Sequence, residues 1–362
     1  MIIQDIQVGS ISLPLARPFK TALRTVDRVE DVVVRVVADN GAVGYGEAPP
    51  TAVITGDTIG SITCAIRDFI RPALLGRDVE DLEGNMAALS RCILKNTSAK
   101  AAVDMALYDL WAKRWNAPLY RLLGGARSTF QTDITISVNP VDEMVADSLD
   151  AVSKGFSILK IKVGKEGLAD VERIAAIRAA VGPDVALRVD ANQGWTAKDS
   201  VAIISALEDK GLNIDLVEQP VSAHDIDGMV YVTERVQTPI LADESVFSPA
   251  DALELIRRHG ADLINIKLMK TGGIHEALKL CDVAQLSGVE CMIGCMLESK
   301  LAVSAAAHLC CGKGIITRAD LDGPSLCAID PFVGGPVFDG PTVSMTDAPG
   351  IGITSVPCEH WS

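Results

Sequence analysis

The sequence predicts an α/β protein built on a (β/α)8-type barrel, with an α+β N-terminal capping domain that the C-terminal tail completes. Three observations point there. Beyond about residue 128, short apolar strands alternate with helical stretches, and eight such units follow one another, the count of a closed parallel barrel. No GxGxxG follows an early strand, which weighs against a doubly wound open sheet. Ionisable residues also recur at the ends of five successive strands, one βα unit apart, and that face of a barrel carries catalytic groups.

The first 125 residues read as α+β. Segments 1–15 and 31–45 are strand-like, and the run from Val32 to Val37 leads into Asp39-Asn40-Gly41, a turn signal with a strand after it. Three helical patterns follow. The clearest spans 99–115, with Asn96, Thr97 or Ser98 available as N-cap and Ala102, Met105, Ala106, Leu110 and Trp111 on one face. Gly124-Gly125 closes this region. The barrel is expected over 126–322, with strands at 132–138, 158–163, 186–190, 216–218, 240–243, 263–268, 290–294 and 316–322. Helices such as 170–181, 197–210, 249–259 and 274–286 lie between them. The Gly/Pro-rich segment 323–362 is too irregular for a further domain and is expected to return to the capping domain, 1–125.

Composition narrows the function. The 362 residues carry 33 Lys plus Arg against 47 Asp plus Glu, a net charge of −14. Such a chain repels phosphate backbones and anionic bilayers, so neither nucleic acid nor a membrane is expected as a partner. The hydrophobic fraction of 48% suffices for a large core, and the sparse aromatics (4%) leave Ala, Val, Ile and Leu to cover parallel strands. The nine cysteines form no CxxC or zinc pattern and read as buried, reduced thiols. With no basic n-region or long apolar run at the start, a cytoplasmic location is expected.

The strand ends carry the chemistry. Lys162, Asp190, Glu218, Asp243 and Lys267 end strands two to six, at spacings of 28, 28, 25 and 24 residues. Three crowded carboxylates cannot all stay ionised without a cation, and an all-oxygen set with room for water and substrate suits Mg²⁺. Lys162 and Lys267, from strands four apart in a ring of eight, would face a bound α-carbon from opposite sides. One could remove a proton and the other return one, through an enediolate that needs the metal. Lys160 shares the barrel-facing side of its strand with Lys162, and its charge would favour a neutral Lys162. A Schiff-base lysine is the rival chemistry, but it needs no three-acid site. Asp320 and Asp322, two apart on strand eight, suit an ammonium group.

Each pattern has an ordinary alternative. A Lys-x-Lys pair alone fits a solvated strand end, and the Asp320/Asp322 pair fits a strand end or a helix cap. Arg24, in an N-terminal loop, fits plain surface, although that loop and 49–57 could close over the barrel mouth. Gly272-Gly273 fits a tight strand-to-helix turn better than a phosphate cradle. The five histidines end no matching strand, which disfavours a His base.

Together, Lys160-x-Lys162, the Asp190, Glu218, Asp243 set and Lys267 resemble the muconate-lactonizing subgroup of the enolase superfamily, over essentially the whole chain. Within it the chain is similar to the dipeptide epimerases, on Pro18-Phe19-Lys20-Thr21-Ala22-Leu23-Arg24-Thr25, Gly46-Glu47-Ala48-Pro49-Pro50, Val189-Asp190-Ala191-Asn192-Gln193-Gly194-Trp195, Ile266-Lys267-Leu268-Met269-Lys270-Thr271-Gly272-Gly273 and Asp320-x-Asp322. The resemblance implies an enolase-like modified TIM barrel. Lys162 and Lys267 would be the acid/base pair and Lys160 the electrostatic partner of Lys162. Asp190, Glu218 and Asp243 would hold one Mg²⁺ per subunit against the C-terminal carboxylate of a dipeptide. Asp320 and Asp322 would hold its ammonium, Arg24 would pair with a C-terminal Glu side chain, and Thr135, Ser137 and Leu297 would line the pocket. Epimerisation of the C-terminal residue, Glu in Ala-Glu, in murein peptide metabolism is the implied reaction, in a homo-oligomer. A cycloisomerase, an o-succinylbenzoate synthase or an N-acylamino-acid racemase keeps the same fold, and a non-catalytic metal-binding barrel is a remoter alternative. Leu321 and Gly323 depart from the bulkier residue and the Ala expected there, which leaves room for an altered N-terminal residue preference.

Overall fold

The computed structural model describes residues 1–20, 25–164 and 166–362. The capping region opens with an antiparallel three-stranded sheet, Ile3–Lys20, Thr25–Ala38 and Val43–Ala48. Along the first strand Ile11, Leu13 and Leu15 are buried on one face and, with no register shift between Val8 and Ile11, Ile6 and Val8 on the other. Helix Thr97–Arg114 packs against the sheet, and thirteen of its 18 residues are buried. One apolar stripe was expected. The helix is enclosed because it also packs against the barrel helices that begin at Leu268, Ile274 and Lys300. Asn96 is its N-cap in a left-handed conformation with no side-chain cap bond. The buried Asp57 instead accepts from Ser98 N at 3.2 Å.

Eight parallel strands follow in sequence order: Ile134–Ile136, Ile158–Lys162, Ala186–Asp190, Ile214–Glu218, Ile240–Ala242, Leu263–Ile266, Glu290–Gly294 and Ile316–Asp320. The first and last meet where Asp133 N donates to Ala319 O (3.4 Å) and Leu321 N to Thr132 Oγ1 (2.8 Å). Some ends differ from expectation. Strand one is shorter than expected because its ends bond elsewhere, Thr132 N to Pro341 O (2.8 Å) and Val138 N to Lys20 O (3.2 Å). Strand six stops before Lys267, since Leu268 opens a single helical turn to Thr271, and strand eight stops at Asp320.

The barrel interior is layered. Leu216, Leu241, Leu263 and Met292 form an apolar cluster apart from the main core. Beside it the buried Arg188 donates to Asp133 (2.8 Å), Asp215 (3.0 Å) and Ala319 O (3.0 Å), which ties strands three, four and eight to the start of strand one. From the tail, Ser362 N bonds Val8 O (2.9 Å), Ala328 N bonds Pro14 O (2.8 Å) and Ile351 N bonds Asp109 of the capping helix (2.8 Å).

Removing a partner from a buried ion pair leaves an uncompensated charge. Arg188→Met should therefore lower the free energy of unfolding by about 3–5 kcal/mol, read as a drop in the urea midpoint. An unchanged midpoint would mean that Asp133 finds another counter-charge.

Candidate active site

The site is built from strand ends. In each strand alternate residues point into the barrel, so the residue two positions beyond the apolar layer faces the mouth. Leu216 is followed by Glu218, Leu241 by Asp243 and Arg188 by Asp190. Lys160 and Lys162 share a face in the same way. The structure brings Lys160, Lys162, Asp190, Glu218, Asp243, Lys267, Asp320 and Asp322 together, each at most 7% exposed.

The charges are matched across the barrel. Lys160 Nζ lies 2.7 Å from Asp320, 2.8 Å from Glu218 and 3.0 Å from Asp190. Lys162 Nζ is 2.6 Å from Asp190, and Lys267 Nζ is 2.7 Å from Asp243. Lys160 was expected to act on Lys162. Its ammonium contacts three carboxylates and shares Asp190 Oδ2 with Lys162 (3.0 and 2.6 Å), so the two ammonium groups are neighbours. Asp320 was expected to stand apart from strands three to five, and this shared ammonium links it to Asp190 and Glu218.

Burial and charge compete at each group. Burial raises Asp190, but Lys162 and Lys160 hold it down to about 2. Burial likewise works against ionised Asp243, and Lys267 and Lys270 keep it below the usual carboxylate range. Glu218 is pushed up to about 7 by burial and by Asp190. Burial disfavours the charged forms of Lys160 and Lys267, yet both are raised, chiefly by Asp320 and Asp243 respectively. Asp322 is raised to about 6 by burial and by Asp320.

A pocket of about 70 Å³ lies over these groups. Lys160, Lys162, Lys267, Asp320, Asp322, Thr135 and Leu297 line it, with Phe19, Val53 and Ile54 from the capping region. Thr135 N donates to Asp322 (2.8 Å). Asp322 lies past the strand end, so it reaches the pocket from a loop and not from the strand face expected. Ser137 lies outside this pocket: its hydroxyl accepts from Lys20 N (3.1 Å), and it lines the adjoining cavity with Thr135. Leu321 is fully buried in the core and is not a pocket residue. Arg24 lies outside the described residues.

Several residues here carried no assigned role in the sequence. Asn265, two before Lys267 on the same strand face, donates to Glu218 (2.9 Å), and period-two counting would have found it. Lys270 is fully buried, and its Nζ meets Asp243 Oδ1 (2.6 Å), Asp243 O (2.5 Å) and Asn265 O (2.9 Å). Gly294 on strand seven leaves room for the lysine stem, since a Cβ there would come within 3.0 Å of Lys267 Cε. Glu47 of the capping sheet accepts from Ser299 N (2.8 Å), Ser299 Oγ (2.5 Å) and Ala302 N (2.9 Å). It thereby caps helix Lys300–Gly312 and fixes the segment that carries Leu297.

Glu218 Oε2 and Asp243 Oδ1 are buried without a well-directed hydrogen bond, although ammonium groups lie at 2.8 and 2.6 Å. These are hard oxygens with free lone pairs on adjacent strand ends, and their chemistry fits a hard divalent ion. Among the described residues, no three His, Cys, Asp or Glu side chains stand close enough together to hold a metal as they are placed. Lysine ammonium groups contact the carboxylates instead.

Comparison with known proteins places this arrangement. Residues 143–357 match the family described as enolase C-terminal domain-like, and residues 4–124 match the mandelate racemase/muconate lactonizing enzyme N-terminal domain. The chain belongs to the mandelate racemase/muconate lactonizing enzyme family. This family member is 53% identical over 356 residues to the L-Ala-D/L-Glu epimerase of Clostridium acetobutylicum, covering 98% of this chain and 99% of that protein. It is similar to the substrate-liganded L-Ala-D/L-Glu epimerase of Bacillus subtilis, with a TM-score of 0.96 and 51% identity over 98% of this chain and 99% of the other. It is also similar to the Enterococcus faecalis dipeptide epimerase complexed with Mg and L-Leu-L-Tyr, with a TM-score of 0.95 and 42% identity over 98% and 100% of the two chains.

Glu47→Gln replaces an acceptor oxygen by an amide donor facing buried N–H and O–H groups. It should destabilise the fold by about 1–3 kcal/mol, measured by urea denaturation, and no loss would show that Ser299 and Ala302 find other acceptors.

Proposed function

We propose that the protein is a Mg²⁺-dependent dipeptide epimerase, an isomerase that moves a proton at the α-carbon of the C-terminal residue. L-Ala-D/L-Glu is the first substrate to test. The observation that carries this reading is the placement of Asp320 and Asp322 in the same pocket as Lys162 and Lys267. A lactone has no cationic group for two carboxylates to hold and an N-acylated amino acid has one only where its side chain is basic, whereas every free dipeptide carries an N-terminal ammonium. The 53% identity to an L-Ala-D/L-Glu epimerase along nearly the whole chain supports it.

Asp190, Glu218 and Asp243 would hold the Mg²⁺. When bound, the metal would stabilise the negative charge that builds on the substrate carboxylate as the α-proton leaves. The rest falls to the chain. Lys162 and Lys267, from opposite sides of the mouth, take a proton on one face of the α-carbon and return one on the other. Asp320 and Asp322 fix the ammonium end, which sets the α-carbon between the two amines. Phe19, Val53, Ile54 and Leu297 cover the pocket and exclude water. Val53, 53% exposed, forms the outer edge of that cover. Recycling of murein peptides in the cytoplasm is the setting we infer.

Lys162→Ala and Lys267→Ala should each abolish epimerisation, followed by chiral chromatography of the product. Near-normal turnover in either variant would refute the two-base mechanism. Acetylating the dipeptide's amino group should abolish turnover, and Asp320→Ala should weaken dipeptide binding far more than Mg²⁺ binding in calorimetry. Full activity on the acetylated substrate would point to an acylamino-acid racemase, and equal losses for Asp320→Ala would put that residue in the metal site.

A further inference from the structure

We propose that Asp104, on the capping helix Thr97–Arg114, is a positioning residue that sets where Lys267 stands at the barrel mouth. The inference rests on the reading of Lys267 as one of the two acid/base groups.

The covalent path from Lys267 to the backbone that Asp104 holds is short. Lys267 ends strand six and leads into the single helical turn Leu268–Thr271, then Gly272 and Gly273, then helix Ile274–Ser287. Asp104 enters this turn from the other domain, 170 residues away in sequence. Its carboxylate is 1% exposed and accepts from Ile274 N (2.6 Å) and His275 N (3.2 Å). These are N–H groups of the first helical turn, which have no partner inside their own helix. The glycine pair therefore cradles a carboxyl group, and that group is the protein's own side chain. A Cβ at Gly273 would stand 2.2 Å from Asp104 Cγ, and the residue has φ +124°, so the close approach and the backbone both require glycine.

The far side of the same segment is gripped by the barrel. Lys270 Nζ bonds Asp243 and Asn265, and Thr271 Oγ1 donates to Gly273 O (2.9 Å). The residues from Lys267 to Ile274 are thus held at two points, one within the barrel and one on the capping helix. Releasing the second point leaves two buried N–H groups unpaired and lets a turn with two flexible glycines relax. Lys162 ends a different strand, Ile158–Lys162, and among the described residues the hydrogen bonds of Asp104 go to Ile274 and His275 and not to that strand. A defect at Asp104 should therefore fall on one lysine and not on both.

Deuterium exchange separates the two lysines. In D₂O an amine can remove the α-proton from the face it meets and return deuterium to that face. Exchange from each epimer taken alone, read by mass spectrometry before inversion accumulates, reports the lysine on that side. Lys267→Ala marks the epimer whose exchange needs Lys267. Asp104→Ala should slow exchange from that epimer at least tenfold more than from the other. Asp104→Asn, which keeps one acceptor, should fall between Asp104→Ala and the wild type. Gly273→Ala, which displaces the same carboxylate, should reproduce the one-sided loss. The persisting exchange from the other epimer is the internal check on folding. Equal slowing of both epimers across the three variants, or no slowing, would overturn the positioning role. A wild-type protein that exchanges neither epimer would overturn the proposed activity itself, whatever the variants do.

Discussion

The structure depends on neutralising carboxylates that water cannot reach. Asp190, Glu218, Asp243 and Asp320 are buried at one end of the barrel, and an isolated buried charge would cost several kcal/mol. Lys160, Lys162, Lys267 and Lys270 lie within 3.0 Å of them. A closed barrel can build such a cluster because each strand delivers one inward side chain per layer and the apolar layer below keeps the strands fixed. The same charges that threaten the fold supply its chemistry. Acids that hold amines in place are the groups a hard cation would engage, and the amines are the groups that can carry protons.

The strand-end acids and lysines were legible in the sequence because a βα unit has a nearly constant length, so their spacing repeated within 24 to 28 residues. The eight strands were legible for the same reason. Less local features were not. That Lys160 also bonds Asp320 depends on a strand 160 residues away. Glu47 and Asp104 act on backbone 252 and 170 residues distant. The capping helix looked amphipathic because its sequence does not reveal that the barrel encloses its second face. Lys270 stood in a quoted motif, but a helical turn, not a strand, aims it at Asp243. Asp322 and Leu321 were read on strand geometry that ends at Asp320, so one reaches the pocket from a loop and the other sits in the core.

The capping region does more than cover the mouth. Three of its buried acids, Glu47, Asp104 and Asp109, accept backbone N–H groups from beyond residue 270. Each such bond leaves an N–H unsatisfied if the two regions separate, so the interface is held by directional contacts as well as apolar burial. Directional contacts fix position more tightly than apolar ones, which suits a mouth where buried amines and acids must stay in register.

Gly294 divides strand seven into a part that can change and a part that cannot. A side chain at that position would press on Asn265 and on the stem of Lys267, so a larger residue there requires both to shift. Cys295, Met296 and Leu297, immediately beyond it, line the pocket. Selection for a new side-chain preference can therefore act on these three positions while the chemistry stays untouched, and a barrel of this kind can diversify its substrates one strand end at a time.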